Sequence, residues 1–352
     1  MQSYQIIDWG RPLEPREYPT PEPRGSEVLL EITACGVCHS DLHIWQGYFD
    51  LGEGRQLRIE DRGLQLPFTL GHEIAGRVVA KGPDATGVEI GDERVAYPWI
   101  GCGACAACRR GENLMCLKPR ILGTWVNGGY STHVIVPDPR WLVAHDGIEA
   151  SLACTYACSG ITAYSALKKT DLARKDQAVL LIGAGGVGLA GLLMARALLP
   201  GKVLVADIDA GKRQAAMATG QCDAVFDNGD AASLAAIRDA SGGGVAAVID
   251  FVGRPETTRF GIDALQKGGT LVVVGLYGDL LKLPMPLIPL RVLTIKGSYV
   301  GTLDDLKAVI ALAQSGKLPP LEVKSCGLDH ANDALASLHK GEVAGRMVLR
   351  PS

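Results

Sequence analysis

Several features are missing from this sequence of 352 residues, and each absence excludes something. No charge sign dominates: Lys and Arg number 35 against 38 Asp and Glu, a formal net charge of −3. That balance argues against a broad basic surface for nucleic acid. No basic segment followed by an apolar stretch opens the chain. Met1 to Gly10 is mixed and polar, so no signal peptide is read. No low-complexity tract and no fixed-period repeat occurs. No uninterrupted apolar run of membrane length is present either. Val179 to Leu199 comes nearest, but Gly183, Gly185, Gly186 and Gly188 cluster inside it and Arg196 stands near its end. A strand, a glycine turn and a buried helix explain that run better than a membrane span. The expectation is a cytoplasmic protein with no membrane and no nucleic-acid partner.

What is present is glycine and cysteine. The 44 glycines fall largely between apolar runs, as tight strand-to-helix turns require. Ten cysteines would suggest disulfides in a small secreted chain. Here four of them, Cys102, Cys105, Cys108 and Cys116, bunch together in a large chain. Metal thiolates in a reducing compartment fit better.

Length and patterning predict two domains. The first part is β-rich, with strand candidates at Val28–Ile32, Ala75–Val79 and Thr132–Val136. Beyond Ser159 strands and helices alternate. Strands are expected at Ala178–Ile182, Lys202–Ala206, Val245–Phe251 and Thr270–Val274. Helices are expected at Leu189–Leu199, Gly211–Thr219 and Pro255–Gln266. Such alternation implies a Rossmann-type, doubly wound parallel sheet, and so the α/β class. The domain boundaries are set at 157–293 for this sheet, with 1–156 and 294–352 forming the β-rich domain. Gly47 to Leu66 reads as a long polar surface excursion.

The four bunched cysteines are spaced C-x2-C-x2-C-x7-C. Four thiolates in a tetrahedron satisfy zinc and leave no open position, so this site staples a loop. The alternative is an iron–sulfur site, but the seven-residue gap and the lack of a following Cys-Pro do not fit the common ferredoxin run. Three further pieces carry ligands of a different kind: Cys35-Gly-Val-Cys38-His39-Ser40-Asp41-Leu42-His43, Gly71-His72-Glu73, and Cys154-Thr-Tyr-Ala-Cys158. Two thiolates and one imidazole make a zinc site with an open fourth position. Cys38, His72 and Cys158 are the expected set, although spacing alone leaves Cys35 and Cys154 as rivals.

A third motif follows a strand and opens a helix. Gly183-Ala-Gly185-Gly186-Val187-Gly188 is a G-x-G-x-x-G dinucleotide fingerprint in its proper setting. The first glycine makes the turn, the second admits the pyrophosphate, and the third packs helix on strand. Asp207 ends the next strand and can bond both ribose hydroxyls of NAD while repelling the 2′-phosphate of NADP. Asp209 is a rival, with a helix cap as its alternative role. No arginine directly follows Asp207, which further disfavours NADP.

With these motifs in view, the chain resembles the zinc-dependent medium-chain alcohol dehydrogenases along essentially its full length. The tetrameric bacterial and archaeal enzymes share most with it, including Leu66 to Glu73 and Cys158-Ser-Gly-Ile-Thr162. The resemblance implies a GroES-like catalytic domain beside the Rossmann domain, NAD, one catalytic and one structural zinc, and a homotetramer or homodimer. It selects Cys158 over Cys154 and leaves Cys35 outside the ligand set. It implies that Asp41 orients His72, that Glu73 sits close behind the metal, and that Lys212 flanks the adenosine ribose. It implies that Arg346 pairs with the pyrophosphate, where the alternative is a solvated strand end. His39 is expected to face the same pyrophosphate.

The chemistry then follows from acidity. An alcohol, like water, has a pKa near ~16, and zinc brings a water it holds to about 7. A comparable gain for an alcohol is roughly 9 units, or ~12 kcal/mol. Histidine, ordinarily near pKa ~6.5, cannot deprotonate a free alcohol usefully but can relay the proton of an acidified one. Ser40, two residues after Cys38, and His43 are the implied relay. Their alternatives are a helix N-cap for Ser40 and a surface position for His43. Trp99, Trp125 and Phe49 are expected to wall a pocket for apolar or aromatic alcohols. Substrates are small alcohols, aldehydes or ketones. The other readings weighed are a specialised polyol or biosynthetic reductase and a non-catalytic zinc-stabilised binding protein.

Overall fold

The structure, a computed structural model, describes residues 1–172, 176–343 and 345–351. It divides into two compact units, one of Met1–Tyr48, Arg58–Ile161 and Gly301–Ser352, the other of Phe49–Leu57 and Thr162–Val300.

The first unit is built on a seven-stranded sheet. Its central strand, Val28–Val37, is mostly apolar and almost wholly buried. Glu73–Lys81 pairs antiparallel on one side of it, with Gly36 opposite Glu73. Arg346–Arg350 pairs antiparallel on the other side, with Met347 opposite Val37. This register carries Glu73 and Arg346 to the same end of the sheet, where Val37 runs into Cys38.

The second unit holds a six-stranded parallel sheet. Its order is Ala224–Phe226, Val203–Ala206, Val179–Ile182, Val245–Asp250, Leu265–Val273, Thr294–Gly297. The chain winds outward in one direction and then returns to wind outward in the other. The order therefore reverses between Val179–Ile182 and Val245–Asp250, the switch point at which such sheets bind nucleotides. Short strands buried on both faces must be apolar throughout. Leu180, Ile182, Leu204, Val248 and Leu271 are all fully buried in one cluster, each contributing about 1.5–3 kcal/mol.

The apolar run Val179–Leu199 resolves into the strand Val179–Ile182 and the helix Gly186–Leu198. No helix among the described residues is long and apolar enough to cross a membrane.

The domain boundaries shift from the sequence expectation in three places. Thr294–Gly297 pairs in register with Thr270–Val273, so it belongs to the nucleotide sheet and not to the β-rich domain. The turn Tyr156–Gly160 stays with the first unit, where the Trp99 indole donates to the Ala157 carbonyl. Phe49–Leu57, expected as surface excursion, packs with the second unit. The Asp50 carbonyl there comes close enough to Gly278 that any side chain at 278 would collide with it. The elements missed in the sequence, such as Ala224–Phe226 and Val323–Gly327, are short and only partly buried, so they carry little apolar signal.

Candidate metal centres and nucleotide site

The lobe of Cys102, Cys105, Cys108 and Cys116 brings its four sulfurs together. Cys105 lies 3.4 Å from Cys108 and 3.9 Å from Cys116, and Cys102 lies 4.0 Å from Cys108. Sulfurs ~2.3 Å from a tetrahedral zinc stand about 3.8 Å apart, so the group fits the ion. Backbone N–H groups converge on the sulfurs, from Cys102 to Cys116, Cys105 to Cys102 and Cys108 to Cys105. The N–H groups of Ala104 and Cys105 pull the Cys102 thiol down to about 6, while burial pushes Cys108 up to about 12. Four sulfurs this close cannot all ionise unless a cation sits among them.

The second cluster is buried. Cys38, His72, Glu73 and Cys158 present ligand atoms that all lie within 4.8 Å of one another. Each reaches this point by a distinct local device. Cys38 ends the central strand and is the N-cap of the helix His39–Gln46. His72 follows Gly71, whose φ of +95° turns the chain; a side chain at 71 would collide with the Tyr130 ring. Cys158 lies in the π-helical turn Tyr156–Gly160, a wide turn of the kind found at functional sites. Cys38 and Cys158 are 3.9 Å apart, again the edge of a metal tetrahedron. Contact with Cys158 pulls the Cys38 thiol well down, and the same contact pushes Cys158 well up. A divalent cation would hold both as thiolates.

Asp41 orients this cluster. Its Oδ1 accepts from His72 Nδ1 at 3.2 Å, and its Oδ2 accepts from the Cys38 N–H at 2.9 Å and from the Tyr130 hydroxyl at 3.2 Å. With Nδ1–H donated to a carboxylate, the lone pair of His72 falls on Nε2. That Nε2 is buried and has no hydrogen-bond partner. A buried orphan of this kind requires a partner, and a metal ion supplies one. The edge of the Trp99 ring packs on His72 at 5.4 Å.

Behind the cluster Arg346 meets both oxygens of Glu73 at 2.5 Å. Burial pushes the Glu73 carboxyl up to about 7, with the guanidinium pulling it the other way. Gly36 makes this pair possible, because a Cβ there would lie 1.9 Å from Glu73 Oε2.

In the second unit the glycine loop leaves the strand Val179–Ile182. Gly183 has φ +92°. A Cβ at Gly185 would meet nothing within 4 Å, whereas one at Gly188 would lie 1.7 Å from the Gly183 carbonyl. The loop therefore has open space at the second glycine and direct helix-to-loop contact at the third. The helix Gly186–Leu198 starts here with Gly185 as N-cap and no side-chain cap, so its first N–H groups are available to an anion. Asp207 accepts from Ala184 N at 2.7 Å and from Asp209 N at 2.9 Å. Its carboxylate thus stands beside the glycine loop with acceptor capacity remaining.

Comparison with known proteins points to one family. The model of the alcohol dehydrogenase GroES-like domain matches residues 24–146, and that of zinc-binding dehydrogenases matches residues 186–315. An NAD-dependent alcohol dehydrogenase of Sulfurisphaera tokodaii is 36% identical over 352 residues, covering 100% of both chains. This chain belongs to the zinc-dependent alcohol dehydrogenase family. A second relative, an NAD-dependent alcohol dehydrogenase of Saccharolobus solfataricus, is 37% identical, again over 100% of both. The crystal structure of the alcohol dehydrogenase from the archaeon Aeropyrum pernix superposes with a TM-score of 0.90 at 30% identity, covering 100% of each chain.

The remaining residues expected for a dehydrogenase of this family fall as follows. Ser40 is the second residue of the helix His39–Gln46, and Cys38, not Ser40, occupies its N-cap. His43 is half-buried one turn after the exposed His39; burial lowers its pKa and the charge of His39 lowers it further. Asp209 is the N-cap of Ala210–Ala218, accepting from Lys212 N, which is the alternative role weighed for it. Lys212 is half-buried in that first turn.

The structure also places Arg346 and the three aromatic residues expected at the pocket. Arg346 is not a solvated strand end; it is buried, with Nη2 paired to Glu73 and Nε left without a partner. Trp99 is 2% exposed and packed against the candidate ligand His72. Trp125 is half-buried under the Arg62 guanidinium, 4.9 Å from its ring. Phe49 belongs to the nucleotide unit.

Tyr130 was not expected from the sequence. Tyr130 follows the pair Gly128-Gly129, where any side chain at 128 would strike the Gly71 carbonyl. That glycine pair was the available signal.

Proposed function

We propose that this chain interconverts small primary or secondary alcohols with aldehydes or ketones, using NAD and two zinc ions, one catalytic and one structural. The observation that carries the reading is the buried Cys38, His72 and Cys158 set with the orphaned His72 Nε2. Zinc supplies acidity at the substrate oxygen and NAD accepts the hydride.

The protein's own groups do the rest. Cys38, His72 and Cys158 hold the catalytic ion, leaving one position for substrate. Cys102, Cys105, Cys108 and Cys116 hold the structural ion. Asp41 keeps His72 in the ligating tautomer. Glu73, held back by Arg346, serves as a reserve ligand as others come and go. Ser40 takes the substrate proton and His43 passes it outward, a role suited to an imidazole whose pKa is lowered and which is therefore neutral near pH 7. Gly183, Gly185, Gly186, Val187 and Gly188 cradle the pyrophosphate at the helix N-terminus, with His39 as a further contact. Asp207 binds the adenosine ribose and Lys212 flanks it. Trp125 and Phe49 contribute to the substrate pocket and favour apolar or aromatic alcohols over polyols.

The protein works in the cytoplasm as a homodimer or homotetramer. Thr294–Gly297 lies at the edge of the nucleotide sheet, with Ile295 exposed on it and Leu290 and Val292 exposed in the helix end just before it. An unpaired strand edge beside exposed apolar side chains suits pairing with a second copy.

The test is NADH formation from a panel of primary, secondary, aromatic and polyol alcohols, with zinc-replete and chelator-treated protein. Turnover should fall on chelation and return with zinc. Absence of turnover with every alcohol and carbonyl, in protein holding two zinc ions and binding NADH, would refute the reading. Turnover of polyols alone would refute the apolar pocket.

A further inference from the structure

The carboxylate of Asp207 is backed by a charged group that no motif announces. Arg213 lies in the first turn of the helix Ala210–Ala218 and folds back under the strand end. Its Nη1 donates to the Asp207 carbonyl at 2.7 Å and to the Ile208 carbonyl at 2.9 Å. The same nitrogen lies 3.0 Å from Asp227 Oδ2. Asp227 follows the strand Ala224–Phe226, which pairs in parallel with Val203–Ala206, so the two aspartates end neighbouring strands. The other oxygen of Asp227 accepts from Gly229 N at 2.8 Å.

We propose that discrimination against the 2′-phosphate of NADP is set by two aspartates. Asp207 repels the phosphate directly, and Asp227 does so indirectly, by holding Arg213. The inference rests on the NAD reading above.

The argument is one of charge and hydrogen-bond capacity. A 2′-phosphate needs a cation with N–H groups to spare, and arginine is the side chain best shaped for it. Arg213 is anchored on the carbonyl of the residue whose carboxylate would meet the ribose, so its guanidinium is within one residue's reach of that hydroxyl. Yet Nη1 already faces three acceptors, and Asp227 cancels its charge. Asp207, Asp209 and Asp227 against Lys212 and Arg213 leave one net negative charge. Removing Asp207 alone takes away the repulsion and leaves Nη1 occupied and Arg213 paired with Asp227. Removing Asp227 as well makes the group net positive and leaves Arg213 without its carboxylate partner. Asp227 is thus a specificity-determining residue that touches no cofactor atom.

The experiment measures the ratio of kcat/KM with NADP to that with NAD in the full-length, zinc-replete enzyme. Asp207→Ser, Asp227→Asn, the double variant, and the double variant with Arg213→Ala are compared with wild type. A charge-assisted hydrogen bond is worth ~1.5–3 kcal/mol, about ten- to a hundredfold. Asp227→Asn in the Asp207→Ser background should therefore raise the ratio by at least about tenfold over Asp207→Ser alone, and Arg213→Ala should abolish that gain. A double variant no better than Asp207→Ser, or a gain that survives Arg213→Ala, overturns the proposal. Should the double variant not fold, Asp227→Asn alone carries the test through displacement of NADH fluorescence. Binding of 2′-AMP should tighten relative to 5′-AMP by about threefold, and an unchanged ratio overturns the proposal. Wild-type protein that fails to bind NADH at all refutes the NAD reading instead.

Discussion

At the scale of single residues, the Tyr130 hydroxyl reaches the metal site through Asp41, which makes Tyr130→Phe an informative change. The ring that fills the space against Gly71 is retained, and only the hydroxyl that donates to Asp41 Oδ2 is lost. A hydrogen bond to a charged group contributes about 1.5–3 kcal/mol. Partners behind a ligand histidine alter metal affinity by roughly 10–100-fold. Tyr130→Phe should therefore release its catalytic zinc to a chelator about tenfold faster, with the structural zinc unaffected. Equal release rates in the variant and wild type would show that Asp41 is held well enough without Tyr130. The ligand types and Asp41 were legible in the sequence because metal chemistry restricts them to a few residue types at recognisable spacings. Tyr130 was not, because a buried tyrosine in sequence looks like any other core aromatic. Its hydroxyl acquires meaning only when strand pairing brings it 3.2 Å from a carboxylate 89 positions away.

At the scale of elements, the glycine loop and its helix show sequence and structure in close agreement. Gly188 is constrained by contact and not by φ, since a Cβ there would meet the Gly183 carbonyl at 1.7 Å. Gly188→Ala must push the helix Gly186–Leu198 off the strand end. NADH affinity should fall by more than about tenfold, because loss of the aligned N–H groups removes several kcal/mol of anion binding. Both zinc ions should be retained, since their ligands all lie in the other unit. NADH fluorescence titration with parallel zinc analysis decides this, and unchanged affinity would show that the helix N-terminus is not the pyrophosphate site. The central strands of the nucleotide sheet were predictable because burial on both faces forces continuous apolar runs. Ala224–Phe226 escaped notice because it is three residues long and only partly buried.

At the scale of the whole molecule, the edge strand Thr294–Gly297 carries the prediction. Ile295 is 43% exposed, Val292 60% and Leu290 70%. Light scattering should give the mass of a dimer or tetramer for wild type. Ile295→Lys, which places a charge on the edge strand, should lower that mass while the sheet itself persists by circular dichroism. A wild-type monomer would refute self-association, and an unchanged mass in the variant would place the interface elsewhere. The domain boundaries belong to this scale too. Thr294–Gly297 was assigned to the wrong domain because its affiliation depends on which strand it pairs with. A four-residue strand does not encode its partner.

The sequence by itself determined which kinds of chemistry to expect: the four-cysteine cluster, the segments carrying the second candidate zinc set, the dinucleotide loop with a carboxylate after the next strand, and the alternation that makes a parallel sheet. Each of these pieces is local, being set by spacing along a few residues or by the period of burial. Only the tertiary structure decided what stands behind them. It gave Arg346 a partner in Glu73, because strand register brings the two ends together within a buried site where neither charge is tolerable alone. It set Trp99 against His72, Tyr130 against Asp41, and Arg213 between two aspartates on neighbouring strands. Each of these is a contact between residues distant in the chain or on separate elements, and such contacts exist only once the sheets have formed.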